Sequence, residues 1–154
     1  MIKKRFIRNV LKNTALKIFF DVNILLDFFL ERSPKQELIN SIFEKLDNNQ
    51  IQGHVTISVI QTCAYYLKQA KDLPVCKEII GVICEKFTLL EGDQNSILSA
   101  IQSTHTDIED SIHYFICLNH HMDAIVTSDR DFLKLSKPYL QVITPEELME
   151  SLSK

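Results

Sequence analysis

The chain has no tryptophan, only three glycines and only four cysteines among its 154 residues, and each shortage removes a class of function. Three scattered glycines leave no P-loop, no G-x-G-x-x-G turn for a dinucleotide and no G-x-S-x-G nucleophile elbow. Cys63, Cys76, Cys84 and Cys117 form no C-x-x-C pair and have no histidine at zinc-site spacing, so they read as buried free thiols. The His120-His121 pair is no better as a metal site, because adjacent residues on a helix diverge by about 100°; it reads as a surface or helix-end feature. Long apolar runs are also missing. The stretch from Ile18 to Leu30 is interrupted by Asp21, Asn23 and Asp27 and is too short and polar for a bilayer. No apolar segment with a small-residue cleavage site follows the basic start, so a secretory signal is not expected and a cytoplasmic location is.

What remains is ordinary globular composition, 45% apolar and 24% charged, in a length that suits one domain with a sizeable core. Charge is unevenly placed. Residues 1–17 hold Lys3, Lys4, Arg5, Arg8, Lys12 and Lys17 with no acid, a local +6 that leaves −9 for the rest of a chain whose total is −3. Ile2, Phe6, Val10 and Leu11 recur there at helical spacing. Residues 1–16 are therefore set apart as a basic, helical N-terminal extension, and 17–154 as a single domain. The extension reads either as an arm for phosphate backbones or a partner, or as a solvated helix.

Strand and helix signals alternate along the domain. Strands are expected at Lys17–Asp21, His54–Ile57, Phe87–Leu90, Asp123–Thr127 and Leu140–Ile143. Helices are expected between them, with Asn48–Gly53 as a turn, Ser58 and Thr144 as N-caps, and Thr106 with Glu109 as a capping box. Ile108, Ile112, Phe115 and Ile116 should form the buried stripe of the helix that the box opens. This order specifies an α/β fold with a mainly parallel sheet and helices on both faces, and such folds bind ligands beyond the carboxyl ends of their strands.

Acids gather at that end. Asp21 closes the first strand, Asp107 and Asp110 lie at the start of a helix, and Asp129 and Asp131 follow a later strand. Each can be explained singly as a helix cap or a solvated acid. Asn23 supports the first turn and frees Asp21, and Glu109 is absorbed by the capping box, which leaves Asp110 as a surplus acid. Together the acids would repel one another unless a cation is bound between them. Oxygen-only ligation suits Mg²⁺ or Mn²⁺, and the chemistry such a site supports is phosphodiester hydrolysis.

Three segments carry a family resemblance: Phe20-Asp-Val-Asn-Ile-Leu-Leu-Asp27 with Arg32-Ser-Pro34, Asp107-Ile-Glu-Asp-Ser-Ile-His-Tyr114, and Ile125-Val-Thr-Ser-Asp-Arg-Asp-Phe132. In series they resemble the PIN-domain family, the nuclease domain of VapC toxins of VapBC-type toxin–antitoxin pairs, over about residues 17 to 145. The resemblance implies a three-layer α/β/α Rossmann-like domain and a Mg²⁺- or Mn²⁺-dependent endoribonuclease. It further implies an RNA substrate, an antitoxin protein as partner, and a homodimer. Asp21, Asp110 and Asp129 match the catalytic metal ligands, with Asp131 and Asp107 as secondary ligands. Asn23, Thr127, Ser128 and Arg130 are the candidates for contacting substrate. One position departs from the pattern. Cys63 stands where the family often has an acid on the helix after the second strand, and a thiol is a poor Mg²⁺ ligand. Two readings stay open: three acids with more water around the metal, or a chain that binds RNA or protein without cutting.

Overall fold

Five apolar segments pair as strands in the computed structural model, which describes residues 15–154. The expected helical extension lies outside the described residues except for Ala15 and Leu16, and Leu16 already opens a strand. The strands are β1 (Leu16–Phe20), β2 (Ile51–Thr56), β3 (Phe87–Leu90), β4 (Ala124–Val126) and β5 (Gln141–Ile143). They form one parallel sheet in the order β3-β2-β1-β4-β5. Among the described residues eight helices complete the chain: α1 (Val22–Phe29), α2 (Gln36–Asp47), α3 (Ile57–Ala70), α4 (Leu73–Lys86), α5 (Gln94–Gln102), α6 (Ile108–Asn119), α7 (Arg130–Leu133) and α8 (Pro145–Leu152).

β1 is the central strand, and Ile18, Phe19 and Phe20 are fully buried as a strand covered on both faces requires. Phe20 packs edge-on against Phe43 of α2 and Phe87 of β3, while its neighbour Phe19 turns the other way, to His113 of α6. Helices thus cover both faces, and the α/β/α architecture is as the alternation of elements implies. No helix among the described residues is long and apolar enough to cross a membrane.

Several local expectations are corrected. β2 starts at Ile51, inside the segment read as a turn, because Ile51, Gln52 and Gly53 pair with Leu16, Lys17 and Ile18. The turn itself closes at Asn49, in the left-handed region at φ 56°. Gly53 serves packing, not turning: a Cβ there would lie 2.7 Å from the Phe87 ring and 2.9 Å from Leu46 Cδ1. Thr56 rather than Ser58 caps α3, accepting from the Val59 N–H at 3.3 Å. Thr144 caps α8 as expected. Cys63, Cys76 and Cys117 are buried free thiols, but Cys84 is exposed. His120 is the C-cap of α6 and His121 follows in the left-handed region, so that pair ends a helix.

Two stability predictions follow from the β2 strand. Gly53→Ala should destabilise the fold by about 1–3 kcal/mol through overpacking, seen in urea unfolding as a lower midpoint with an unchanged slope. His54, next along β2, is buried with neither ring nitrogen hydrogen-bonded. Burial, with Lys17 and His120 nearby, lowers its pKa to about 4. The unfolded chain then binds the proton more readily, so stability present above pH 6.5 is lost as pH falls toward 4. His54→Leu should recover about 2 kcal/mol of that loss at pH 4.5, measured by denaturant unfolding at both ends of the range.

Candidate active site

The direction of the chain reverses between β1 and β4, since β2 and β3 add on one side of β1 and β4 and β5 on the other. A crevice opens beyond the carboxyl ends of two strands at such a switch point. Backbone bonds carry the ladder past both ends: the Asp21 N–H donates to the Val126 carbonyl at 3.1 Å, and the Thr127 N–H to the Ile143 carbonyl at 3.0 Å. Asp21 and Thr127 are thereby set side by side. The Thr127 hydroxyl donates to Asp21 Oδ2 at 2.6 Å, and its oxygen accepts from the Asp129 N–H at 3.0 Å. Thr127 is fully buried, so this hydroxyl joins the two acids out of reach of solvent.

Asp21, Asp107 and Asp129 are N-caps of three different helices. Asp21 Oδ1 accepts from the Val22 N–H at 2.8 Å, Asp107 Oδ1 from the Asp110 N–H at 2.9 Å, and Asp129 Oδ1 from the Asp131 N–H at 2.9 Å. The amino ends of α1, α6 and α7 thus bring positive dipole ends to the carboxylates. Two expectations change here. Asp21 caps its own helix, while Asn23 Oδ1 accepts from Arg32 Nη2 at 3.3 Å. The Thr106–Glu109 capping box does not form, because α6 starts one residue later with Asp107 as its cap; Glu109 is left at the cleft. The same shift exposes Ile108 and gives α6 a buried set of Ser111, Tyr114, Ile116 and Cys117.

The cleft has a volume of about 420 Å³ and is lined by Asp21, Asp107, Glu109, Asp110 and Asp129, with Asn23 at its edge. Its other wall is α3, through Ser58, Val59, Thr62 and Tyr66, joined by Ile112 and His113 of α6. None of the residues on this second wall was among the site residues expected from the sequence. His113 Nε2 lies 2.7 Å from Ser58 Oγ and 3.0 Å from Thr56 Oγ1, and burial lowers its pKa to about 4, so the ring is neutral. Ser128, Arg130 and Asp131 are exposed outside the lining, and Asp131 pairs with Lys134 at 3.0 Å. Thr127 acts from behind Asp21. Cys63 is fully buried in the core, where burial pushes its thiol up to about 11, and Thr62 faces the cleft in its stead.

Electrostatics mark Asp110 as the strained group. Its Oδ2 is buried with no hydrogen-bond partner, and burial together with Asp107, Asp21, Asp129 and Glu109 raises its pKa to about 7. Asp21 is raised too, by burial first and then by Asp129 and Asp107, against the lowering effect of its bonds from Thr127 and Val22. Among the described residues no lysine or arginine lines the cleft. An all-oxygen donor set with one unpartnered buried oxygen and no internal counter-charge fits a hard divalent cation. Among the described residues no group of three acid, histidine or cysteine side chains is positioned to hold a metal ion.

A family model for the PIN domain matches residues 17–131. The chain belongs to the PIN-domain family. Two solved structures share the PIN fold with it. PAE2754 from Pyrobaculum aerophilum has a TM-score of 0.63 at 16% identity, covering 90% of this chain and 96% of that one. VapBC2 from Rickettsia felis, solved bound to a DNA fragment from its promoter, has a TM-score of 0.61 at 11% identity, covering 84% and 98%. No curated protein matches the chain.

The raised pKa of Asp110 sets a sign for this PIN domain. A carboxyl raised in the fold contributes stability below its unfolded pKa of 3.8 that is lost as pH rises through about 7. Without added metal, Asp110→Asn should therefore stabilise the protein at pH 8 by about 1 kcal/mol, allowing for solvent screening at a half-buried site. The gain should shrink toward pH 4. Thermal unfolding across that range, in chelator, checks both.

Proposed function

We propose that this PIN domain is a metal-dependent endoribonuclease hydrolysing RNA phosphodiesters, the toxin of a toxin–antitoxin pair. The supporting observation is the convergence of Asp21, Asp110 and Asp129 on one cleft, with a buried oxygen of Asp110 left without a partner. PIN domains are generally nucleases, and the likeness to VapBC2 supports the pairing with an antitoxin. Asp21, Asp110 and Asp129 would hold Mg²⁺ or Mn²⁺, with Asp107 beside them at the cleft and Asp131 in reserve on α7. When bound, such an ion supplies an activated water and polarises the phosphate.

The chain's own residues have definable parts in this reading. Thr127 fixes the Asp21 carboxylate in one orientation, so that Oδ1 and Oδ2 each keep lone pairs aimed at the cleft. Asp110 shares a proton with solvent near neutrality and is converted to the carboxylate when a cation is present. Asn23 in the lining, and Ser128 with Arg130 outside it, would contact the RNA. The protein would act in the cytoplasm as a homodimer, and the antitoxin would block the cleft.

Purified protein free of any partner should cut single-stranded or structured RNA only with Mg²⁺ or Mn²⁺, and Asp21→Asn or Asp110→Asn should lower the rate at least about 100-fold. The lack of a three-ligand group among the described residues favours one other reading, a PIN module that binds RNA or protein without cutting. Metal-independent RNA binding that survives Asp21→Asn, with no cleavage by the wild type, would establish that reading and remove the nuclease.

A further inference from the structure

Among the described residues the anionic cleft has two aromatic rings in its walls, the hydrogen-bonded imidazole of His113 and the ring of Tyr66. Tyr66 lies two helical turns along α3 from Ser58, with Thr62 between them, and the spacing of four residues puts all three on the cleft face. Its side is 45% exposed, in a lining otherwise dominated by carboxylates and hydroxyls. Tyr65 stands edge-on to it, with ring centroids 5.3 Å apart and planes at 84°, and is itself 61% exposed. An edge-to-face neighbour fixes the plane of a ring without covering its outer face.

Charge decides what such a ring can do. Among the described residues five carboxylates and no lysine or arginine line the cleft, so these walls offer a phosphate backbone no charge-paired contact. Stacking on a π-face does not depend on that charge, and every base has a π-face. We propose that Tyr66, in edge contact with Tyr65, is a stacking platform for an unpaired base of RNA bound in this cleft. This inference rests on the nuclease reading for its substrate, but its contact is a matter of binding and can be tested separately.

The chain has no tryptophan, so Tyr66→Trp introduces a sole reporter at the platform. A mixed-sequence single-stranded oligoribonucleotide should quench its emission, and a ribose-phosphate chain of equal length without bases should not. Equal quenching by both, or quenching by neither, overturns the platform. In Mn²⁺, on an oligoribonucleotide the wild type cuts, Tyr66→Ala should raise KM on the order of tenfold with little change in kcat, and Tyr66→Phe should restore it. An unchanged KM in Tyr66→Ala also overturns the platform. If the wild type cuts no RNA at all, the nuclease reading fails instead, and the quenching comparison alone decides for or against the stacked base.

Discussion

The hydroxyl of Thr127 is the contact around which the acidic cleft is organised. One oxygen donates to Asp21 and accepts from the backbone of Asp129, so residues more than a hundred positions apart share a single fixed geometry. The arrangement is possible because β1 and β4 are neighbours in a parallel sheet and their carboxyl ends lie level. The placing of Asp21 and Asp129 depends on that registry. A carboxylate buried as deeply as Asp21 is costly unless its lone pairs are satisfied, and the two bonds from Thr127 and Val22 offset much of that cost.

The remaining repulsion is managed by the helices. Asp21, Asp107 and Asp129 each serve as a cap, so the fold uses one set of side chains both to start α1, α6 and α7 and to build an anionic crevice. Capping and metal binding are often treated as competing explanations for an aspartate. Here the two need not exclude each other, because each cap engages a single carboxylate oxygen. Asp110 is the exception, with a buried oxygen that no helix end or side chain satisfies. Its raised pKa records the unbalanced part of the charge.

The architecture and the acidic wall were legible from residue order. Alternating apolar strands and amphipathic helices determined the layers, and the rule that such folds bind ligands beyond the carboxyl ends of their strands put Asp21 and Asp129 in one crevice. Gly53 was misread as a turn because a glycine in sequence signals conformational freedom, whereas its role is to make room for Phe87 and Leu46, which lie far away along the chain. The Thr106–Glu109 box was misread because Asp107 competes for the same cap, and a one-residue difference in helix start cannot be resolved from motif spacing. The α3 wall was invisible for a different reason. Ser58, Thr62, Tyr66 and His113 match no catalytic motif, and only the packing of α3 beside α1 and α6 brings them to the acids. Their spacing of four along α3 was the one available signal.

The rotation of α3 has a bearing on how this chain is compared with its relatives. Thr62 looks into the cleft and Cys63 into the core, although they are adjacent letters. Column-by-column reading assigns the missing acid to Cys63 and counts a ligand as replaced by a thiol. In space, the thiol belongs to the hydrophobic interior and a hydroxyl faces the acids. Any coordination or proton transfer at this wall would therefore meet the oxygen of Thr62 and not the sulfur of Cys63.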